Sequence, residues 1–118
     1  MLTLYLGSGI LRVRMNRDFF VRLAFATHRV ADALPEGEEV REEMKDSANT
    51  ILVDLILFTE KDALSGEKKR MLLPQLARQI DILLVYLNKA KSEGWIDPSN
   101  FSLLAVEYRK LRELLSIF

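Results

Sequence analysis

The octapeptide Ile51–Phe58, ILVDLILF, sets Asp54 alone among seven apolar side chains. On a helix, a run this dense spreads apolar groups beyond one narrow stripe, so one side faces a core and another meets a second apolar surface. The chain is thereby constrained to helices packed on helices, with more apolar face than a single seam consumes.

With 118 residues, the chain is read as one domain, long enough to bury a core without disulfides or metal. Opposite charges balance, with 17 basic and 17 acidic residues. A neutral total gives no global attraction to nucleic acid or membrane, so such a partner would need a local patch. Cysteine is absent, which removes a disulfide scaffold and is consistent with a reducing cytoplasm. No apolar stretch approaches the ~20 residues of a membrane-spanning helix, and residues 1–10 lack the basic start and cleavage site of a secretion signal. The expected location is the cytoplasm.

Residues 1–15 form an extension before the main domain. Leu2, Leu4 and Leu6 alternate with Thr3 and Tyr5, Gly7-Ser8-Gly9 can turn, and Ile10, Leu11 and Val13 follow. This reads either as a short hairpin or as a frayed leader, since an isolated two-stranded hairpin is marginal in water. Residues 16–118 carry four helical segments. The first starts near Asn16 or Arg17 and runs to about Leu34, with Phe19, Phe20, Leu23, Thr27, Val30, Ala31 and Leu34 at helical spacing. Val21, Phe25 and His28 fall on another face. Pro35-Glu36-Gly37 breaks the helix.

The second segment opens with Glu38, Glu39, Glu42 and Glu43, where carboxylates meet the positive end of the helix dipole. Val40, Met44, Ala48, Ile51, Leu52, Leu55 and Thr59 continue an inward face. Ile56 and Leu57 spill beyond it, and Ser47, Thr50, Asp54 and Lys61 are read as the wetter side. The third carries Leu72, Leu73, Leu76, Ile80, Leu83, Leu84, Leu87 and Ala90, with Ile82, Val85 and Tyr86 widening the apolar surface. Pro74 sits in its first turn or kinks a helix begun near Lys68. Gly94 is placed to end it, Trp95-Ile96 to plug the bundle, and Asp97-Pro98 to cap the fourth helix. There Phe101, Leu104, Ala105, Tyr108, Leu111 and Leu115 point inward, while Leu103, Leu114 and Ile117 form a second line. Short loops make an all-α, antiparallel up-down four-helix bundle the economical fold.

Catalytic and metal chemistry find no footing in these residues. A di-iron bundle needs Glu-x-x-His pairs, yet the single histidine, His28, follows Phe25 at that spacing. One histidine without cysteine does not make a zinc site or a Cys-His pair. Gly7-Ser8-Gly9 lacks the lysine and spacing of a phosphate loop, and Glu39 with Glu43 is explained by helix capping. The expectation is a protein without catalytic residues, metal, cofactor or small-molecule substrate.

Placed on an up-down bundle, the charges separate. One pole collects Arg12, Arg14, Arg17, Lys61, Lys68, Lys69, Arg70, Arg109, Lys110 and Arg112; the other collects Asp32, Glu36, Glu38, Glu39, Glu42, Glu43, Glu93 and Asp97. Dipole complementarity accounts for the glutamates opening the second helix and for Arg109–Arg112. It does not account for Lys68-Lys69-Arg70 at the start of the third, where a basic cluster would suit a phosphate backbone. Glu60, Asp62, Glu67, Glu107 and Glu113 share that pole and weaken it. Nucleic-acid contact, through Arg14, Arg17, Lys68, Lys69, Arg70, Arg109, Lys110 and Arg112, and a plain solvated surface both remain open. The candidate self-association residues are Val21, Phe25, Ile56, Leu57, Ile82 and Tyr86.

The order of a helix ending Leu34-Pro35-Glu36-Gly37-Glu38, then SANTILVDLIL, LARQIDILLVYLNKAKSEGWID and FSLLAVEYRKLREL resembles a family of small four-helix bundles. It includes Avd, the accessory variability determinant of diversity-generating retroelements, and is similar to proteins encoded by intervening sequences of 23S ribosomal RNA genes. The resemblance spans about residues 16–117. It implies a non-catalytic partner that assembles as a pentameric barrel, binds the element's reverse transcriptase and contacts its RNA template. Family members are expected to be clearly basic, and this chain departs from that in its neutral balance. The alternative of another class is a helical protein–protein interaction module, monomeric or dimeric, with no nucleic-acid partner.

Overall fold

The computed structural model describes residues 2–4, 13–60 and 62–118, with side chains from Asn16 onward. Two short strands, β1 (Leu2–Leu4) and β2 (Val13–Met15), precede four helices: α1 (Arg17–Asp32), α2 (Glu39–Thr59), α3 (Gly66–Ser92) and α4 (Pro98–Leu115). β1 and β2 pair antiparallel, Leu2 opposite Met15 and Leu4 opposite Val13, so the two ends of the leader form a ribbon. The Gly7-Ser8-Gly9 turn, Arg12 and Lys61 lie outside the described residues.

The helix starts follow local chemistry. Asn16 Oδ1 accepts from the Phe19 amide (2.9 Å), Ser65 Oγ from Lys68 (3.2 Å) and Asp97 Oδ1 from Ser99 (2.7 Å), each satisfying an amide with no intrahelical partner. α2 lacks a side-chain cap and instead carries Glu39 and Glu42 in its first turn. α3 ends in a Schellman arrangement: Gly94, at φ +74°, donates to Lys91 and Trp95 donates to Ala90. Glycine is favoured there because a side chain is strained at that φ. α3 begins at Gly66, so Pro74 lies inside the helix and removes the donor that the Arg70 carbonyl would otherwise receive.

Sequential helices are neighbours, and α1 also meets α4, which closes an antiparallel four-helix bundle. Three contacts fix the α1–α2 register: Arg17 with Glu60, His28 with Asn49 and Asp32 with Lys45. Each step along α1 is matched by one step back along α2. The core holds Phe20, Leu23 and Ala31 of α1, Met44, Ile51 and Leu55 of α2, Leu76, Ile80, Leu83 and Leu87 of α3, and Phe101, Tyr108 and Leu111 of α4. Trp95 packs partly against that core, and Ile96 is buried at the same end.

Two placements read from the sequence are corrected. Ser47 and Asp54, assigned to the wet side of α2, are each only 7 % exposed. They lie two turns apart and continue the line of Glu43, whose carboxylate sits beside Tyr86 of α3, whereas their polarity alone points them outward. Leu114, assigned to a second, outer line on α4, is fully buried, because one turn after Leu111 it stays on the inward side.

Candidate interaction surfaces

The eight candidate nucleic-acid residues do not converge. Arg17 Nη2 pairs with Glu60 Oε1 at 2.8 Å, Lys110 Nζ with Glu107 Oε1 at 3.7 Å, and Arg112 Nε with Asp81 Oδ1 at 3.1 Å. Lys69 donates to the main-chain carbonyl of Glu60 at 3.2 Å. That hydrogen bond explains a basic residue at a helix start: its ammonium sits on the negative end of α2 rather than on the positive end of α3. Among the described residues, Lys68, Arg70 and Arg109 form no ion pair, and they point apart. Lys68 shares the α2-facing side of α3 with Tyr86, five turns on, whereas Arg70 shares the α4-facing side with Asp81. The Arg112–Asp81 pair puts Arg109 level with Leu84, roughly 20 Å along α3 from Arg70 at 1.5 Å per residue. Arg14 stands in β2 opposite Thr3, and its side chain lies outside the described atoms.

The six apolar candidates divide between two faces. By the α1–α2 register, Val21 is level with Ile56, and Phe25 with Leu52 and beside Val53. Phe25 is 62 % exposed and Val53 54 %, while Val21 and Ile56 are half-buried. The second set lies on the α2–α3 face, where Leu57, Ile82 and Tyr86 are each half-buried. Two pairings fix register there: Lys69 with Glu60, and Tyr86 with Glu43. Leu57 is thus level with Leu72 and lies well away from Ile82. The Glu43 carboxylate beside the Tyr86 hydroxyl pushes Tyr86 above the usual tyrosine range.

Other exposed apolar side chains extend the surface: Met71 and Val85 on α3, Leu103 and Val106 on α4, and Ile117 just past its end. Met71 gives little signal in the sequence because its helical neighbours are Glu67, Lys68, Pro74 and Gln75, whereas Val106, three residues after Leu103, extends the outer apolar line of α4. Phe118 packs edge-on against Phe58 at 5.3 Å. A groove of about 380 Å³ runs between the end of α1 and the start of α4, lined by Ala26, Arg29, Val30, Trp95, Asp97 and Asn100 among others.

Polar pairs tie the seams. Lys45, with a smaller contribution from Arg41, holds the Asp32 carboxyl below its ordinary range. Across the α1–α4 seam, Thr27 donates to the Leu23 carbonyl at 2.9 Å, so its oxygen accepts from Tyr108 at 2.7 Å. Burial pushes the Tyr108 hydroxyl up to about 12. Asp54 is also raised by burial, and its Oδ2 is buried without a hydrogen-bond partner. Among the described residues, no cluster of three or more His, Cys, Asp or Glu side chains is placed to hold a metal, and no helix is long and apolar enough to cross a membrane. No family model matches the chain, and neither a curated protein nor a solved structure matches it.

Proposed function

We propose that this chain is a non-catalytic, self-associating accessory protein of the cytoplasm that belongs to a diversity-generating retroelement. It binds the element's reverse transcriptase and RNA template and supports mutagenic reverse transcription. The observation that carries self-association is Phe25: a ring 62 % exposed, beside Val21, Val53 and Ile56, outside a core already closed by other residues. An apolar strip of this kind favours cover by another protein surface, and a ring of five copies is what the sequence resemblance implies. The retroelement role rests on that resemblance, and among the described residues Lys68 and Arg70 are cations without an ion pair at the expected RNA-facing pole.

The test is co-purification of the tagged protein with the reverse transcriptase encoded beside it, followed by crosslinking to the template RNA. Recovery of both supports the reading; recovery of neither removes it.

A second reading, a helical interaction module without nucleic acid, is favoured by one specific observation. Arg17, Lys110 and Arg112 are committed to acids of their own chain, and Lys69 to a helix end. Salt-insensitive binding to the protein partner, with no RNA crosslink, would select it.

A further inference from the structure

The start of α3 is held differently from the rest of the bundle. Met71, Pro74 and Gln75 line its outer side and Leu72 and Leu73 are half-buried, so Leu76 is the first buried residue of the helix. Pro74 interrupts the hydrogen-bond ladder just before that point. Arg112 with Asp81, and Lys91 over Phe101, set the α3–α4 register and put Leu115, the last helical residue of α4, level with Arg78. The segment Gly66–Gln75 therefore lies against α2 beyond the last turn of α4, where the residues after α4 reach α2 through Phe118 on Phe58.

The α2 surface at the base of this segment is the one that carries Asp54. From the Lys69–Glu60 hydrogen bond, six residues back along α2 and six forward along α3 bring Asp54 level with Gln75, next to Pro74. The Tyr86–Glu43 pair gives the same match. Asp54 is 7 % exposed, and its Oδ2 is buried with no donor. A buried carboxylate without a partner disfavours its charged form and is relieved when water reaches it.

Few groups nearby can offset that charge. Asp54 is the only charged residue of α2 between Ala48 and Thr59. On α3, Arg78 lies on the outer surface beside Gln75 and Gln79, and Lys69 is committed to Glu60. His28 of α1 is bonded to Asn49 on the opposite side of α2. Tyr108 of α4 is neutral below about pH 12.

We propose that Gly66–Gln75 is a hinged arm that swings off α2 about Pro74 when Asp54 is charged, and closes when it is protonated. Sparse burial, a broken ladder and an unpartnered carboxylate at one level make this the low-stability end of the fold. Opening uncovers the α2–α3 seam around Leu57 and Leu72, so the exposed apolar surface grows with pH.

Amide hydrogen exchange of the intact chain at pH 4, near the ordinary aspartate pKa, and at pH 8, corrected for intrinsic rates, tests the hinge. Protection at Arg70–Leu73 should fall about tenfold for each unit by which burial raises the Asp54 pKa, while α1 and α4 amides hold theirs. Asp54→Asn should abolish the step. Flat wild-type protection, an equal fall in α1 and α4, or a step that survives in Asp54→Asn would overturn the proposal. If Asp54→Asn does not fold, Pro74→Ala decides: restoring the ladder should shrink the step, and an unchanged step contradicts the hinge.

Discussion

Tyr108 and Thr27 meet across the α1–α4 seam with their hydroxyl oxygens 2.7 Å apart, both in the dry centre of the bundle. Because the Thr27 proton is given to the Leu23 carbonyl, the two sides of the bond are not equivalent. Tyr108→Phe removes one donor and should cost about 0.5–1.5 kcal/mol. Thr27→Val strands the Tyr108 hydroxyl in an apolar site and should cost more, about 1–3 kcal/mol. Urea unfolding of the two single variants and the double variant measures both the order and the coupling.

The same tyrosine gives a pH signature. Its hydroxyl titrates near 12 in the folded chain, against about 10 in an unfolded one. Above the unfolded value only the unfolded state loses its proton, so this contribution is complete below about pH 10 and is lost as pH rises towards 12. Tyr108→Phe should flatten that part of the stability profile. Its ultraviolet difference spectrum should also lack the last phenolate to appear.

Much of this architecture is legible in the sequence because it rests on local chemistry. Asn16 and Asp97 cap as their positions imply, Gly94 takes the left-handed conformation, and Phe101, Leu104, Tyr108 and Leu111 share one buried line. Long-range placement is less legible. Ser47 and Asp54 are buried on the line of α2 that Glu43 shares and that meets Tyr86 of α3, which no property of α2 announces. The purpose of Lys69 appears only when the end of α2 is brought to it. Among the candidate interaction residues, periodicity locates Phe25 on an outer face, yet does not reveal that Arg17 and Arg112 are paired within the chain.

Asp54 should also mark the stability of the whole bundle. Burial raises its pKa above the unfolded value of about 3.9, so rising pH ionises the unfolded chain first. Stability is greatest below the unfolded pKa and falls as pH climbs through the folded one. Asp54→Leu removes that dependence and should stabilise the protein at pH 7 by about 1–3 kcal/mol. Chemical denaturation at pH 4.5 and pH 7 measures it, with the gain expected to be larger at pH 7.

The basic turn separates into a structural and a binding component. Lys69→Met should lower stability by about 0.3–1 kcal/mol by uncapping α2. Lys68→Glu with Arg70→Glu should leave stability within about 0.5 kcal/mol, yet weaken template RNA binding. The salt slope should shrink by about 0.7 for each phosphate that is no longer neutralised. Filter binding across a salt series checks the second effect, and an unchanged affinity and slope would remove these residues from the RNA-binding surface.

Sedimentation equilibrium of the intact chain, with Phe25→Glu beside it, tests the self-association claim most directly. A mass several times the 13.6 kDa of one chain, five times in the ring reading, is the predicted result, with Phe25→Glu returning folded material of lower mass. A wild-type chain that sediments as a single 13.6 kDa particle at every concentration, with Phe25 exposed to solvent and indifferent to substitution, would contradict it.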